Sequence, residues 1–81
     1  MPTVEFDYSA LRGKIYEKYG SIKAFSKAMN MAISTLHLKL KNKYAFSNQE
    51  IIKMAYLLEI KNNEINIYFF KENVVKSPQK S

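Results

Sequence analysis

The sequence predicts an all-α fold of five helices, with a small two-stranded β element possible from its two end segments. Three observations carry this. Only two glycines and two prolines occur in 81 residues. Both prolines, Pro2 and Pro78, lie near the ends, so Gly20 is the one strong breaker of the interior. Apolar residues recur at spacings of three and four in successive blocks, the period of a helix with one buried face. Finally, Ser47-Asn48-Gln49-Glu50 has the form of a capping box, a local signal for a helix start. The length suits a single domain, expected over residues 1–76, with a polar tail over 77–81.

Tyr8, Leu11, Ile15 and Tyr19 form the stripe of a first helix, capped by Asp7 or Ser9 and ended by Gly20, which accepts the left-handed conformation common just past a helix. Ser21 is a good N-cap for a second helix that buries Phe25, Ala28 and Met29. Asn30 ends it, because asparagine tolerates positive φ better than other non-glycine residues. Met31 is a core residue in the turn. A third helix runs from about Ala32 to Lys41 and buries Leu36 and Leu40. In the fourth, Phe46 and Ile51 form the hydrophobic staple that accompanies a capping box, and Ile51, Met54, Ala55 and Leu58 are the buried stripe, with Ile60 just beyond. A short fifth helix from near Asn63 turns Ile65, Tyr68 and Phe69 inward. Thr3-Val4-Glu5-Phe6 and part of the stretch from Phe70 to Val75 alternate as short strands do. Two strands are marginal alone, so these must pack on the helices or pair across a dimer.

Charge is distributed unevenly. The formal net charge is +6. Between Arg12 and Lys43 there are eight Lys/Arg and one acid, Glu17, while the rest of the chain is nearly balanced. Such asymmetry points to an anionic partner for that stretch, nucleic acid before membrane, against a solvated lysine-rich surface as the plain alternative. With no cysteine, a disulfide framework and a thiolate metal site are excluded, and the composition suits a reducing cytoplasm. No apolar run approaches the roughly 20 residues that span a bilayer, and the first residues lack the pattern of a secretion signal.

The segment Ser21-Ile-Lys-Ala-Phe-Ser-Lys-Ala-Met-Asn-Met-Ala-Ile-Ser-Thr-Leu resembles the helix-turn-helix of the lambda repressor and Cro superfamily. Phe6-Asp-Tyr-Ser-Ala-Leu-Arg-Gly-Lys-Ile, Lys39-Leu-Lys-Asn-Lys, the Glu50-Ile pair and Tyr68-Phe-Phe are similar to small phage Cro-like proteins of Gram-positive hosts. The resemblance spans about Phe6 to Val75. It implies a five-helix lambda repressor-like domain, with the helix-turn-helix at about 21–41, that regulates transcription by binding an operator. It also implies that the third helix enters the major groove, with Ile33, Ser34, His37 and Leu38 as the base-reading positions. Periodicity agrees in outline: with Leu36 and Leu40 turned to the core, Ser34 and Leu38 point away. Ile33 and Leu38 depart from the polar residues usual there. They have two readings, contact with thymine methyl groups or contact with another protein. His37 has no companion that would make it a catalytic base or metal ligand, and a ring that donates a hydrogen bond into the groove is its expected role.

Phosphate contacts are expected on either side of the reading helix. Ser21 and the first amides of the second helix form an anion site, with Lys23 one step inside. Lys39, Lys41, Asn42, Lys43 and Tyr44 follow the reading helix. These contacts set affinity and position rather than sequence choice. A single module makes few base contacts, so a homodimer on a pseudo-palindromic double-stranded operator is expected, with Tyr68, Phe69, Phe70, Val74 and Val75 as interface candidates. No glycine-rich phosphate loop, carboxylate pair at metal spacing or nucleophile with a base is present, so no enzyme activity, cofactor, metal, small-molecule substrate or membrane partner is expected. The alternative function is a protein-interaction module, antirepressor or antitoxin-like, on the same helical scaffold.

Overall fold

Ser9–Tyr19 (α1), Ile22–Met29 (α2), Ile33–Leu40 (α3), Asn48–Leu58 (α4) and Ile65–Phe69 (α5) are the helices of the computed structural model, which describes residues 5–72; a 3-10 turn, Asn62–Glu64, leads into α5. The fold is all-α. Beside the helices there is one antiparallel bridge among the described residues, Phe6 to Glu72, reinforced by the Asp7 N–H donating to the Lys71 carbonyl at 2.7 Å. Glu5, Phe70 and Lys71, also within the expected strands, are not in strand conformation; the other residues of those strands, and the expected polar tail, lie outside the described residues.

Local chemistry explains the helix starts. The Asp7 carboxylate accepts from the Ser9 amide at 2.9 Å and its hydroxyl at 2.6 Å, satisfying the first orphan donor of α1 from outside the helix. The Ser21 hydroxyl accepts from the Ala24 amide, capping α2. Both halves of the capping box are formed: the Ser47 hydroxyl accepts from the Glu50 amide and the Glu50 carboxylate from the Ser47 amide. In contrast, α3 begins without a side-chain cap, and the chain enters it through the extended backbone of Ala32.

A left-handed residue closes or follows each of the helices α1 to α4. α1 closes on Gly20 with φ 81°, α2 on Asn30 with φ 57°, and α4 on Glu59 with φ 58°. Beyond α3, Asn42 has φ 67°. After α2, α3 and α4 the amide next to the left-handed residue reaches back five positions: Met31 to Ser26, Lys43 to Leu38 and Ile60 to Ala55, each within 2.9 Å. This is the Schellman closure, which pairs carbonyls a helix end would otherwise strand.

One core holds the helices together. Leu11 and Ile15 of α1, Phe25 of α2, Leu36 of α3, Met54 and Leu58 of α4 and Phe69 of α5 are essentially removed from solvent. Phe46 sits edge-on to both Tyr8 and Phe69, with ring centroids 5.4 and 6.0 Å apart, so the loop before α4 is pinned to the start of α1 and to α5. One expectation is corrected. Ala28 is exposed, and Ser26 is the small residue on the buried face of α2. Ile22, Phe25, Ser26 and Met29 fall at i, i+3, i+4 and i+7, the spacing of a single stripe, and Ala28 lies off it.

Candidate nucleic-acid interface

The unit that carries the candidate site is α2, the turn Asn30-Met31-Ala32, and α3. Its inner side is fixed by Phe25, Met29, Leu36 and Leu40, all buried. Its outer side on α3 carries the four expected reading positions, and all four are exposed: Ser34 and His37, with Ile33 at 39% and Leu38 at 37%. Ser34 and Leu38 stand one turn apart opposite the buried Leu36 and Leu40, so a hydroxyl and a branched apolar side chain share the outward ridge. That ridge can donate or accept a hydrogen bond at one point and cover an apolar group about 6 Å farther along.

Cations from neighbouring helices hold the unit from behind. Arg12 of α1 donates from Nη2 to the Leu40 carbonyl at 3.1 Å, at the C-terminal end of α3. Lys53 of α4 donates to the Met29 carbonyl at 3.3 Å, at the C-terminal end of α2. A cation at each of these ends pairs a stranded carbonyl and complements the negative end of the helix dipole. Neither role is visible in the sequence, because the partners lie 28 and 24 positions away.

The seven expected phosphate residues divide into two groups. Lys39 and Asn42 are engaged inside the protein. Lys39 Nζ donates to Glu50 Oε1 at 2.8 Å and to the Ala45 carbonyl at 3.1 Å, and lies 6.0 Å from the Phe46 ring. Asn42 Oδ1 accepts from the Phe6 amide and its Nδ2 donates to the Phe6 carbonyl, both at 2.9 Å, so the carboxamide substitutes for a backbone partner along the N-terminal segment. Both were expected to meet phosphate; in the structure their polar groups are committed to partners within the protein. The Ser21 hydroxyl is already committed to the Ala24 amide, and Ser21 is half-buried. Lys23, Lys41, Lys43 and Tyr44 are exposed. Tyr44 stands at the rim of a groove of about 200 Å³ shared with Phe6, Tyr8 and Phe70. Lys27, one turn beyond Lys23 on α2, is exposed as well. It was not among the expected contacts, although the i, i+4 spacing places both ammonium groups on one face.

Other lysines of the basic stretch carry acidic partners. Lys14 pairs with Glu17 at 3.6 Å and Lys18 with Glu59 at 3.5 Å. Among the described residues, no hydrogen bond or ion pair engages the side chains of Lys23, Lys27, Lys41 or Lys43. Burial alone would push the Glu50 carboxyl up, but the hydrogen bonds from Lys39 and from the Ser47 amide, with the lysine charge, outweigh it and hold Glu50 below the usual carboxylate range.

The expected dimer residues among the described residues differ in exposure. Phe69 is 1% exposed and belongs to the core, so its place in an interface is corrected. Tyr68 is half-buried under the Lys14 ammonium, 5.8 Å above its ring. Phe70 is 44% exposed and edge-on to Phe6. Val74 and Val75 lie outside the described residues. No helix of the described residues is long and apolar enough to cross a membrane.

The model of a family described as "Protein of unknown function (DUF739)" matches residues 4–72. Among solved structures, the solution structure of the modulator of repression (MOR) of the temperate bacteriophage TP901-1 from Lactococcus lactis is similar. It superposes with a TM-score of 0.73 at 42% sequence identity, covering 80% of this chain and 88% of that one. No curated protein matches the chain.

Proposed function

We propose that this chain, which belongs to the DUF739 family, is a phage-type regulator of repression that binds double-stranded DNA sequence-specifically through α3, in the manner of Cro and repressor helix-turn-helix proteins. The observation that carries the reading is the outward ridge of α3. Ser34 and Leu38 are exposed on it, and His37 is exposed beside it. Lys41 and Lys43 come just after the same helix, and Lys23 and Lys27 lie on the helix packed before it, all four without an internal side-chain partner among the described residues. A major groove offers base edges to such a ridge and phosphates to such lysines. The likeness to a phage modulator of repression supports a regulatory setting. Specificity calls for two copies on a pseudo-palindrome, with their α3 helices about 34 Å apart.

A second reading has its own support. The similar phage protein modulates repression, and Ile33 and Leu38 are large apolar side chains held partly in solvent. A protein that alters repression by docking on a repressor would use such residues. Selection of bound duplexes from a random pool separates the two. Enrichment of a palindrome supports DNA reading. A pool that stays random, together with a change in operator binding by a repressor when this chain is added, supports the protein contact.

A further inference from the structure

We propose that Lys39 is a positioning residue of this interface, not one of its phosphate contacts. Its pair with Glu50 sets where the loop between α3 and α4 presents Lys41, Lys43 and Tyr44. The proposal rests on the DNA-binding reading for its functional consequence, and on geometry alone for the loop.

The Lys39 ammonium joins three parts of the chain. It leaves the last turn of α3, donates to the Ala45 carbonyl in the loop and to Glu50 Oε1 in the first turn of α4. The same Oε1 accepts from the Ser47 amide at 2.8 Å, so a single carboxylate oxygen joins the start of α4 to the end of α3. The pair is well withdrawn from solvent, with the side chains 13% and 26% exposed. Two further ties act on the same loop: Asn42 on the Phe6 backbone, and Arg12 on the Leu40 carbonyl. A phosphate could take Lys39 only by stripping a half-buried carboxylate of its partner, which is costly. While the pair holds, a carboxylate at 2.8 Å cancels most of the ammonium's field at any distant phosphate.

Glu50→Gln distinguishes the two roles by the sign of its effect. Glutamine at that position still accepts from the Ser47 amide, so the capping box survives while the ion pair is lost. If Lys39 contacts phosphate, removing an acid beside a polyanion tightens binding, and Lys39→Met flattens the dependence of log K on log salt by about 0.9. If Lys39 positions the loop, both substitutions weaken binding to the selected duplex, by about three- to tenfold for coupled neighbours. The salt slope stays unchanged, and the double variant is no weaker than the worse single one. Measurements well below the melting transition keep every variant fully folded. Unchanged affinity in both variants would mean the pair only adds stability, and would overturn the proposal.

Native-state hydrogen exchange reads the loop with no DNA present. The Lys43 amide, bonded to the Leu38 carbonyl at 2.9 Å, should exchange at least about tenfold faster in both variants, while the Leu36 amide keeps its wild-type rate. If the wild type binds no duplex, the DNA reading fails and takes the functional half of this proposal with it, while the exchange data still decide the loop. Equal protection of Lys43 in wild type and variants overturns that half too.

Discussion

Ser26 illustrates how little a sequence reveals about which small residue is buried. It is 3% exposed, with its hydroxyl donating to the Lys23 carbonyl one turn back at 2.7 Å. Ala28 is the more apolar candidate for a tight contact, yet it lies in solvent, because position on the stripe decides burial and side-chain polarity does not. Leucine at 26 would push extra methylenes into a filled space, so Ser26→Leu should cost about 1–3 kcal/mol in a urea titration. Ser26→Ala loses one local hydrogen bond but gains helix propensity, and should stay within about 1 kcal/mol of wild type. Equal effects of the two would show that the site has slack. Glu50 gives a pH test. Its carboxyl is held low in the folded state, so its stabilisation is fully present above the ordinary glutamate value of about 4.3 and fades as pH falls through the depressed one. Asp7, held low by its hydrogen bonds from Ser9, acts with the same sign. Melting temperature should therefore fall on acidification below about pH 5, and Glu50→Gln should make that fall shallower while lowering the value at pH 7. A variant profile parallel to wild type would remove Glu50 from the account.

Helix ends were legible wherever the signal was local. Gly20, Asn30 and Ser47 stand in the sequence as a stop, a stop and a start, and act as such in the structure. Glu59 and Asn42 gave less warning. Glutamate carries no preference for the left-handed region, and its φ of 58° is imposed by the next residue: Ile60 is buried and its amide closes onto Ala55. Asn42 owes its position to Phe6, 36 residues away, which no window along the chain contains. The Glu59 conformation carries a cost that glycine would not bear. Glu59→Gly should stabilise the protein by about 0.5–1 kcal/mol, read as a higher urea midpoint with an unchanged slope. The Lys18 pair it gives up is solvent-exposed and contributes little. A destabilised variant would mean that the Glu59 side chain does more than join Lys18.

Across the whole molecule, the sequence located the excess charge and the structure assigns it. Eight basic residues between Arg12 and Lys43 read as one footprint when only order along the chain is known. In three dimensions Arg12 is on a carbonyl, Lys14, Lys18 and Lys39 are on carboxylates, and Lys23, Lys27, Lys41 and Lys43 have no side-chain partner among the described residues. Partners at separations of 28 and 41 positions for Arg12 and Lys18 explain why composition could not make this division. The exposure of the outward ridge on α3 was legible because it needs only the period of one helix and two core leucines. Which lysines stay unpaired was less so, because a lysine's availability depends on the whole fold. The consequence is quantitative. If four lysines per copy meet phosphates, the slope of log K against log salt should be about −3.6 per copy and about twice that for two copies on one palindrome. Eight would give about −7 per copy. Replacing both Lys41 and Lys43 by alanine should flatten the slope by about 1.8 per copy and weaken binding to every duplex alike. Ser34→Ala should leave the slope untouched and lose preference at one base position, at a cost of about 1–3 kcal/mol. A wild-type slope near −7 per copy, or a slope that moves with Ser34 and not with the two lysines, would place the charge on DNA differently from the way the fold leaves it exposed.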